Sequence, residues 1–321
     1  MTETIAAIDC GTNTIKLLIG SLPDVAVREM RMVRLGQGVD TTGVLAPEAL
    51  ARAFAAIDDY AAMIAAREVT RIRFCATSAT RDAVNAEEFA AGVRERLGVE
   101  PEVLTGAEEA ALAFDGAVRP LAVPPARPVL VVDIGGGSTE LILGDTTPRR
   151  AVSMDIGSVR LHERHLRSDP PTAAEITACV ADIDAHIDRV DVDPALAATL
   201  IGVAGTVTTL AGGLLGLMTD RGPTEPAVVR IDDAQALAEL LLALTVAERR
   251  ALPWMHPGRA DVIGAGALIL DRVLRRVRVD DLLVSPTDIL DGIAWSMVEH
   301  RPVGAGRRTD AQSHEERSTD V

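Results

Sequence analysis

Aromatic side chains are nearly missing from this chain. Four Phe, one Tyr and two Trp make up 2% of 321 residues, so the core must be built from Ala, Val, Leu and Ile, and stacking on nucleobases is a disfavoured binding mode. Lysine is scarcer still: of 32 basic residues only Lys16 is lysine, and the rest are arginine. Against 47 acidic residues they leave a net charge of −15, which speaks against a surface that attracts nucleic acid or anionic membrane. A polyanionic ligand would have to be met by a local positive site. Cys10, Cys75 and Cys179 are odd in number and share no metal-type spacing, so reduced thiols in a cytoplasmic protein are expected. The first residues, MTETIAAIDC, have no basic stretch ahead of an apolar one, and no signal peptide is expected. The uncharged run at 201–218 is long enough for a membrane span, but its Gly and Thr content suits a buried strand, a Gly/Thr turn and a packed helix. There is no G-x-x-x-x-G-K-[ST] loop, G-x-S-x-G elbow or Cys/His nucleophile pair. His162 and His165 lie three apart without a third ligand nearby, so zinc is not expected.

What the chain does have is a repeat. Residues 8–20, IDCGTNTIKLLIG, return as residues 132–144, VDIGGGSTELILG, with Asp9 matching Asp133, Gly11 matching Gly135 and Lys16 standing opposite Glu140. Each copy is an apolar run ending in Asp, a turn of small residues and a second apolar run, the pattern of a β-hairpin with an exposed tight turn. At this length two lobes are the better expectation, and two such turns suggest a phosphorylated ligand held in a cleft between them. Strands are expected near 4–9, 15–20, 27–35, 70–76 and 100–104, with helices at 47–66, 86–97 and 106–118, an α/β pattern. The Pro-rich stretch 120–128 reads as a linker. A second lobe follows, with strands at 129–133, near 150–156 and at 281–285, and helices at 158–167, 173–190, 207–218, 232–245, 247–252, 258–277 and 288–299. The resulting division is 1–124, 125–300 and a polar tail at 301–321, expected to be disordered.

In the turns, Gly135, Gly136 and Gly137 permit close backbone approach, and Ser138 and Thr139 add hydroxyl donors suited to phosphate. The strand-end acids Asp9 and Asp133 could each cap a turn; as a pair they are better read as positioning Mg²⁺ or water. In LTGAEEAALAF, Thr105 and Glu108 have capping-box spacing, which accounts for Glu108 and releases Glu109 to act as a general base or to favour the helix N-terminus. Thr77, Ser78 and Arg81 fall at the mouth of the next helix, where Arg81 is either an anion ligand or an ion-pair partner. DIGSVR at 155–160, ending in Arg160, and AGTVTT at 204–209 offer further donors, for which a structural role is the simpler reading.

These segments, with RLGQGVD (34–40) and HPGRADVIGAGALIL (256–270), resemble in order the motifs of the exopolyphosphatase and guanosine pentaphosphate phosphohydrolase family, in its short form. The resemblance implies two ribonuclease H-like lobes of the actin, Hsp70 and sugar kinase superfamily, and a homodimer. It implies catalysis by Glu109, with Asp133 and Glu140 assisting, and metal or water positioning by Asp9, Asp133 and Glu140. Phosphate would be bound by Gly11, Thr12, Asn13, Thr14, Lys16, Arg81, Gly135, Gly136, Gly137 and Ser138. Mg²⁺ is the implied cofactor, with a monovalent cation such as K⁺ as an additional candidate. The expected reaction is water attack on the terminal phosphorus of inorganic polyphosphate; the nearest alternative is pppGpp 5′-phosphohydrolysis, and a non-catalytic alarmone or nucleotide sensor is the alternative of another class. Two departures stand out. Thr14 and Lys16 replace the family's usual Ser and Arg, and VSPTDILDGI lacks an Arg of the S-x-x-G-L-R-x-G pattern. The first could weaken or alter the grip on phosphate; and because the short form lacks the additional C-terminal helical domains that would guide a long polymer, short polyphosphate and poor processivity are expected.

Overall fold

A computed structural model describes residues 3–299; the tail expected from residue 301 lies outside them. The first half of the chain runs β1 (Ile5–Cys10), β2 (Thr14–Ser21), β3 (Asp24–Met32), α1 (Val39–Thr42), α2 (Pro47–Ala65), β4 (Arg71–Ala76), α3 (Ser78–Asp82), α4 (Ala86–Leu97), β5 (Glu102–Val103) and α5 (Gly106–Val118). The second half runs β6 (Val129–Ile134), β7 (Thr139–Gly144), β8 (Pro148–Met154), α6 (Ser158–His165), α7 (Ala173–Ile187), β9 (Thr199–Val203), α8 (Ala204–Leu214), β10 (Ala227–Arg230), α9 (Ile231–Ala243), α10 (Val246–Arg250), α11 (Ile263–Leu274), β11 (Asp281–Val284) and α12 (Ile289–Glu299).

The repeat is a repeat of topology. One sheet has the order β3-β2-β1-β4-β5, the other β10-β11-β9-β6-β7-β8. In each, the first strand lies between its antiparallel hairpin partner and a parallel strand. Every residue of β1 and β6 is buried, as strands covered on both faces must be, which explains their continuous apolar runs. Hairpin register places Asp9 across from Lys16 and Asp133 across from Glu140.

Three apolar layers hold this together. One lies between the first sheet and α2 and α4, and another fills the second half beneath α7, α9 and α11. The third joins the halves: Ile5, Ala7 and Leu18 of one sheet and Val129, Val131 and Ile142 of the other enclose Phe114 of α5 and Leu290 and Ile293 of α12. Here the halves reach across to one another, α5 packing on β6, β7 and β8 while α12 packs on β1, β2 and β4. The helices cross at glycines. A Cβ on Gly116 would lie 1.9 Å from the Asp288 carbonyl oxygen, and one on Gly292 2.0 Å from that of Leu112.

Several boundaries differ from expectation. Strand β10 has only four residues, too few to show an alternating pattern. Residues 256–262 form hydrogen-bonded turns, including Arg259 N–H to the His256 carbonyl, so α11 starts at Ile263 rather than 258. No Gly/Thr turn separates β9 from α8; the chain reverses at Ala204, which takes a left-handed φ of 64°. Ser78 and Arg81 lie within a short helix of their own, α3.

Candidate active site

Both repeated turns meet between the halves, and each is braced from behind. In the first, Gly11 N–H bonds to the Thr14 carbonyl (2.9 Å), Gly36 N–H holds the Thr12 carbonyl (2.8 Å), and Val33 and Arg34 N–H hold that of Asn13 (3.0 and 2.9 Å). The second is braced by the start of α6. Ser158 N–H bonds to the Gly135 carbonyl at 3.0 Å, Val159 N–H to that of Gly136 at 2.9 Å, and Arg160 Nε to that of Gly137 at 2.8 Å. In a planar trans peptide the N–H opposes the C=O. Holding three successive carbonyls on one side therefore leaves the N–H groups of Gly136, Gly137 and Ser138 on the other, and the same residues line a cavity of about 70 Å³. One water needs about 10–15 Å³ on this measure, so the space suits a few waters or a terminal phosphate group rather than a nucleoside. The first turn of α8 (Ala204, Gly205, Thr206) also lines the cavity, adding the positive end of a helix. No lining residue is aromatic.

Four carboxylates share this space. Asp9 and Asp133 stand near the ends of the matching strands, Glu140 faces Asp133 across the second hairpin, and Glu109 comes from the first turn of α5. Glu108 closes its helix through a capping box with Thr105, leaving Glu109 to the cavity. Burial is the chief cause that raises all four pKa values: Glu109 is pushed up to about 7 against the pull of Arg81, and Asp133 to about 8 with Asp288 adding to the rise. Glu140 rises through burial and then the charges of Glu109 and Asp133, while burial lifts Asp9 against the opposing effect of Lys16. Glu140 also accepts a bond from Ser153 Oγ at 2.7 Å.

Positive charge is placed differently from expectation. Lys16 lines the cavity, but its ammonium already binds Asp288 at 2.7 Å and Asp9 at 3.2 Å. Burial works against that charge, yet Asp288 and Asp9 outweigh it and raise the pKa. Arg81 stands outside the cavity lining, donating to the Leu104 carbonyl (2.9 Å) and to Glu109 Oε2 (3.1 Å); it holds the acid and lies one layer behind the space. The cation that sequence reasoning missed is Arg259. Its guanidinium lines the cavity with no carboxylate in salt-bridge range among the described residues, and burial lowers its pKa to about 10. Gly205 makes room for it, since a Cβ there would lie 1.4 Å from Nη1. The signal was the HPGR turn, whose role no local pattern stated.

The remaining expected residues, Gly11, Thr12, Asn13, Thr14, Gly135, Gly136, Gly137 and Ser138, all line the same cavity. Among the described residues no group of three or more His, Cys, Asp or Glu side chains is arranged to cage a metal. The donors are hard carboxylates, however, and Mg²⁺ is commonly held by one or two of these with water and phosphate oxygens completing its shell. Asn13 Oδ1, buried without a partner at the first turn, is a further oxygen suited to that shell. The donor set therefore fits Mg²⁺ bound together with a phosphorylated ligand.

Residues 17–301 match the model of the Ppx/GppA phosphatase family. The chain is similar to Exopolyphosphatase 2 of Mycobacterium tuberculosis, with 46% identity over 91% of this chain and 98% of that protein. Among solved structures it is similar to an exopolyphosphatase-like protein (TM-score 0.88, 43% identity, 92% of this chain and 99% of that one). It is also similar to an exopolyphosphatase of Cytophaga hutchinsonii (TM-score 0.85, 28% identity, 94% of this chain and 100% of that one).

Proposed function

Because the chain belongs to the Ppx/GppA phosphatase family, we propose that it is an exopolyphosphatase that removes the terminal phosphate of short inorganic polyphosphate. The observation that carries this reading is a small polar cavity between two braced glycine turns, with a buried acid at its edge and no aromatic side chain for a base. Water attacks the terminal phosphorus: a P–O bond to the water oxygen forms, the bond to the bridging oxygen breaks, and the proton passes to Glu109. A carboxyl pushed up to about 7 is well matched to taking that proton near neutral pH. Arg81 orients Glu109, while Arg259, the second turn's N–H groups and the start of α8 face the charge that develops on phosphate oxygens. Asp133 and Glu140, with Asp9 beside them, would hold Mg²⁺, which when bound neutralises and polarises phosphate oxygens. Lys16 supports this site through Asp9 and Asp288.

Hydrolysis of pppGpp at its 5′ end uses the same parts, but the cavity offers no platform for guanine. A sensor without turnover has no use for a raised Glu109 beside Asp133 and Glu140. The cytoplasmic setting rests on three cysteines that are all free and buried. A homodimer would cover a groove of mixed character, in which Leu214, Val228, Leu237 and Leu240 lie beside Arg230 and Asp233. The test is phosphate release from defined-length polyphosphate, pppGpp and ATP with Mg²⁺, for wild type and Glu109→Gln. We expect release from short polyphosphate and its near loss in the variant. Tight pppGpp binding without release from any of the three would overturn the enzyme reading.

A further inference from the structure

At the mouth of the cleft the halves are joined by a band of charge. Arg34 of the first half donates to Asp261 (2.9 Å) and to the Gly258 carbonyl (3.1 Å). Glu163 of α6 accepts from Gly38 N–H at 3.1 Å, and Arg164 holds Asp40 of α1 at 2.6 and 2.8 Å. Arg160 differs from these. Its Nη1 donates to Asp40 at 2.6 Å and its Nη2 to Asp82 at the end of α3, while Nε donates to the Gly137 carbonyl of the second turn. Of the side chains in this band, it alone grips both the opposite half and a phosphate turn. Its side chain is only 12% exposed; the contacts to Asp40 and Gly137 are part-buried, and the one to Asp82 is open to solvent.

Gly137 is held from both sides. Opposite Arg160 it faces Thr12 and Ser78 of the first half, whose hydroxyls bond to each other at 2.9 Å. A Cβ on Gly137 would lie 2.3 Å from Ser78 Oγ and 2.5 Å from Thr12 Oγ1. The Gly137 carbonyl and the Ser138 N–H belong to one rigid peptide, so fixing the first aims the second. Separating the halves would remove Asp40 and Asp82 from the guanidinium and release that peptide. We propose that Arg160 is a positioning residue that couples closure of the cleft to alignment of the Ser138 N–H with the phosphate; this rests on the exopolyphosphatase reading. Only a guanidinium can make these contacts, because they use a planar fork with donors on three sides, and a lysine ammonium would keep the charge while losing the geometry.

The test is steady-state phosphate release from tripolyphosphate by wild type, Arg160→Lys, Arg160→Gln, Asp82→Asn and the Arg160→Gln/Asp82→Asn pair, with thermal unfolding of each. Arg160→Gln should lower kcat by about 10- to 100-fold, with KM changed much less, and Arg160→Lys should not restore it. Asp82→Asn alone should lower kcat by a smaller factor, and should add nothing once Arg160 is gone. The inference is overturned by a wild-type kcat in Arg160→Gln, by rescue with Lys, or by an Asp82→Asn effect that is the same with and without Arg160. If Arg160→Gln does not fold, Asp82→Asn decides: a reduced kcat at unchanged KM supports the coupling, and an unchanged kcat overturns it. A wild type that releases no phosphate from tripolyphosphate or longer chains instead removes the exopolyphosphatase reading, and this inference with it.

Discussion

Asp133→Asn removes one of four carboxylates buried in the cleft while keeping the shape of the side chain. The Asp133 carboxyl is lifted from 3.8 to about 8, by burial first and by Asp288 next. Four pH units at about 1.4 kcal/mol each set a ceiling of about 6 kcal/mol on the strain of ionising it in the folded protein. Neighbouring acids share protons and relax, so we expect the variant to gain about 2–4 kcal/mol near pH 8.5 without divalent metal. The sign follows from linkage. Below the unfolded pKa both states hold the proton, and the variant has no advantage on this account. As pH rises from there towards about 8, the unfolded chain has released a proton that the folded site retains, and wild type loses stability that Asn cannot lose. The gap should open through this window and level off above it. Urea unfolding of both proteins at several pH values between about 4.5 and 9 measures it, alongside phosphate release, which the variant should lack. A variant no more stable than wild type at high pH, or a gap that narrows as pH rises, would refute the claim that burial, with the charge of Asp288, holds the Asp133 carboxyl against ionisation.

Three further outcomes follow from the same geometry. Glu109→Gln should lower kcat by about 10²–10⁴-fold; because the base must be ionised and burial pushes the Glu109 carboxyl up to about 7, wild-type kcat/KM should rise as pH increases through neutrality, and residual activity of the variant should lack that limb. Gly137→Ala forces a methyl group between the halves, where Ser78 Oγ lies 2.3 Å from its position; phosphate release should drop at least ~10-fold while the melting temperature changes little, since the added group can be relieved by opening the cleft. Gly292→Ala meets the Leu112 carbonyl at 2.0 Å, inside the layer between the sheets where nothing can open, and a urea midpoint lower by the equivalent of about 1–3 kcal/mol is expected.

Features written in neighbouring residues are legible in the amino-acid sequence. The hairpins, their tight turns and the release of Glu109 by the Thr105–Glu108 box each depend on one short stretch of consecutive positions, and local spacing reports them. Charge balance is not legible in this way. Lys16 reads as a ligand for the anion because its partner Asp288 lies 272 positions away. Arg81 and Arg259 are indistinguishable as arginines beside helices, yet folding gives one a carboxylate and leaves the other facing the cavity. Arg160 reads as merely structural because its three acceptors come from three separate segments. The short β10 and the late start of α11 are hidden for the opposite reason: four residues are too few for periodicity, and in RADV (259–262) no glycine or proline marks the turns off from the helix that follows.

Gly116 and Gly292 turn the crossing of α5 and α12 into backbone against backbone. An interface padded with side chains can adjust by changing rotamers; this one has none to change at its closest approach. Asp288 ties this crossing to the site, because its carbonyl fills the notch at Gly116 while its carboxylate holds Lys16 at the floor of the cleft. The packing of the two helices and the charge balance of the cleft are therefore one arrangement: any change that shifts the backbone at Gly116 also moves the carboxylate on which Lys16 depends.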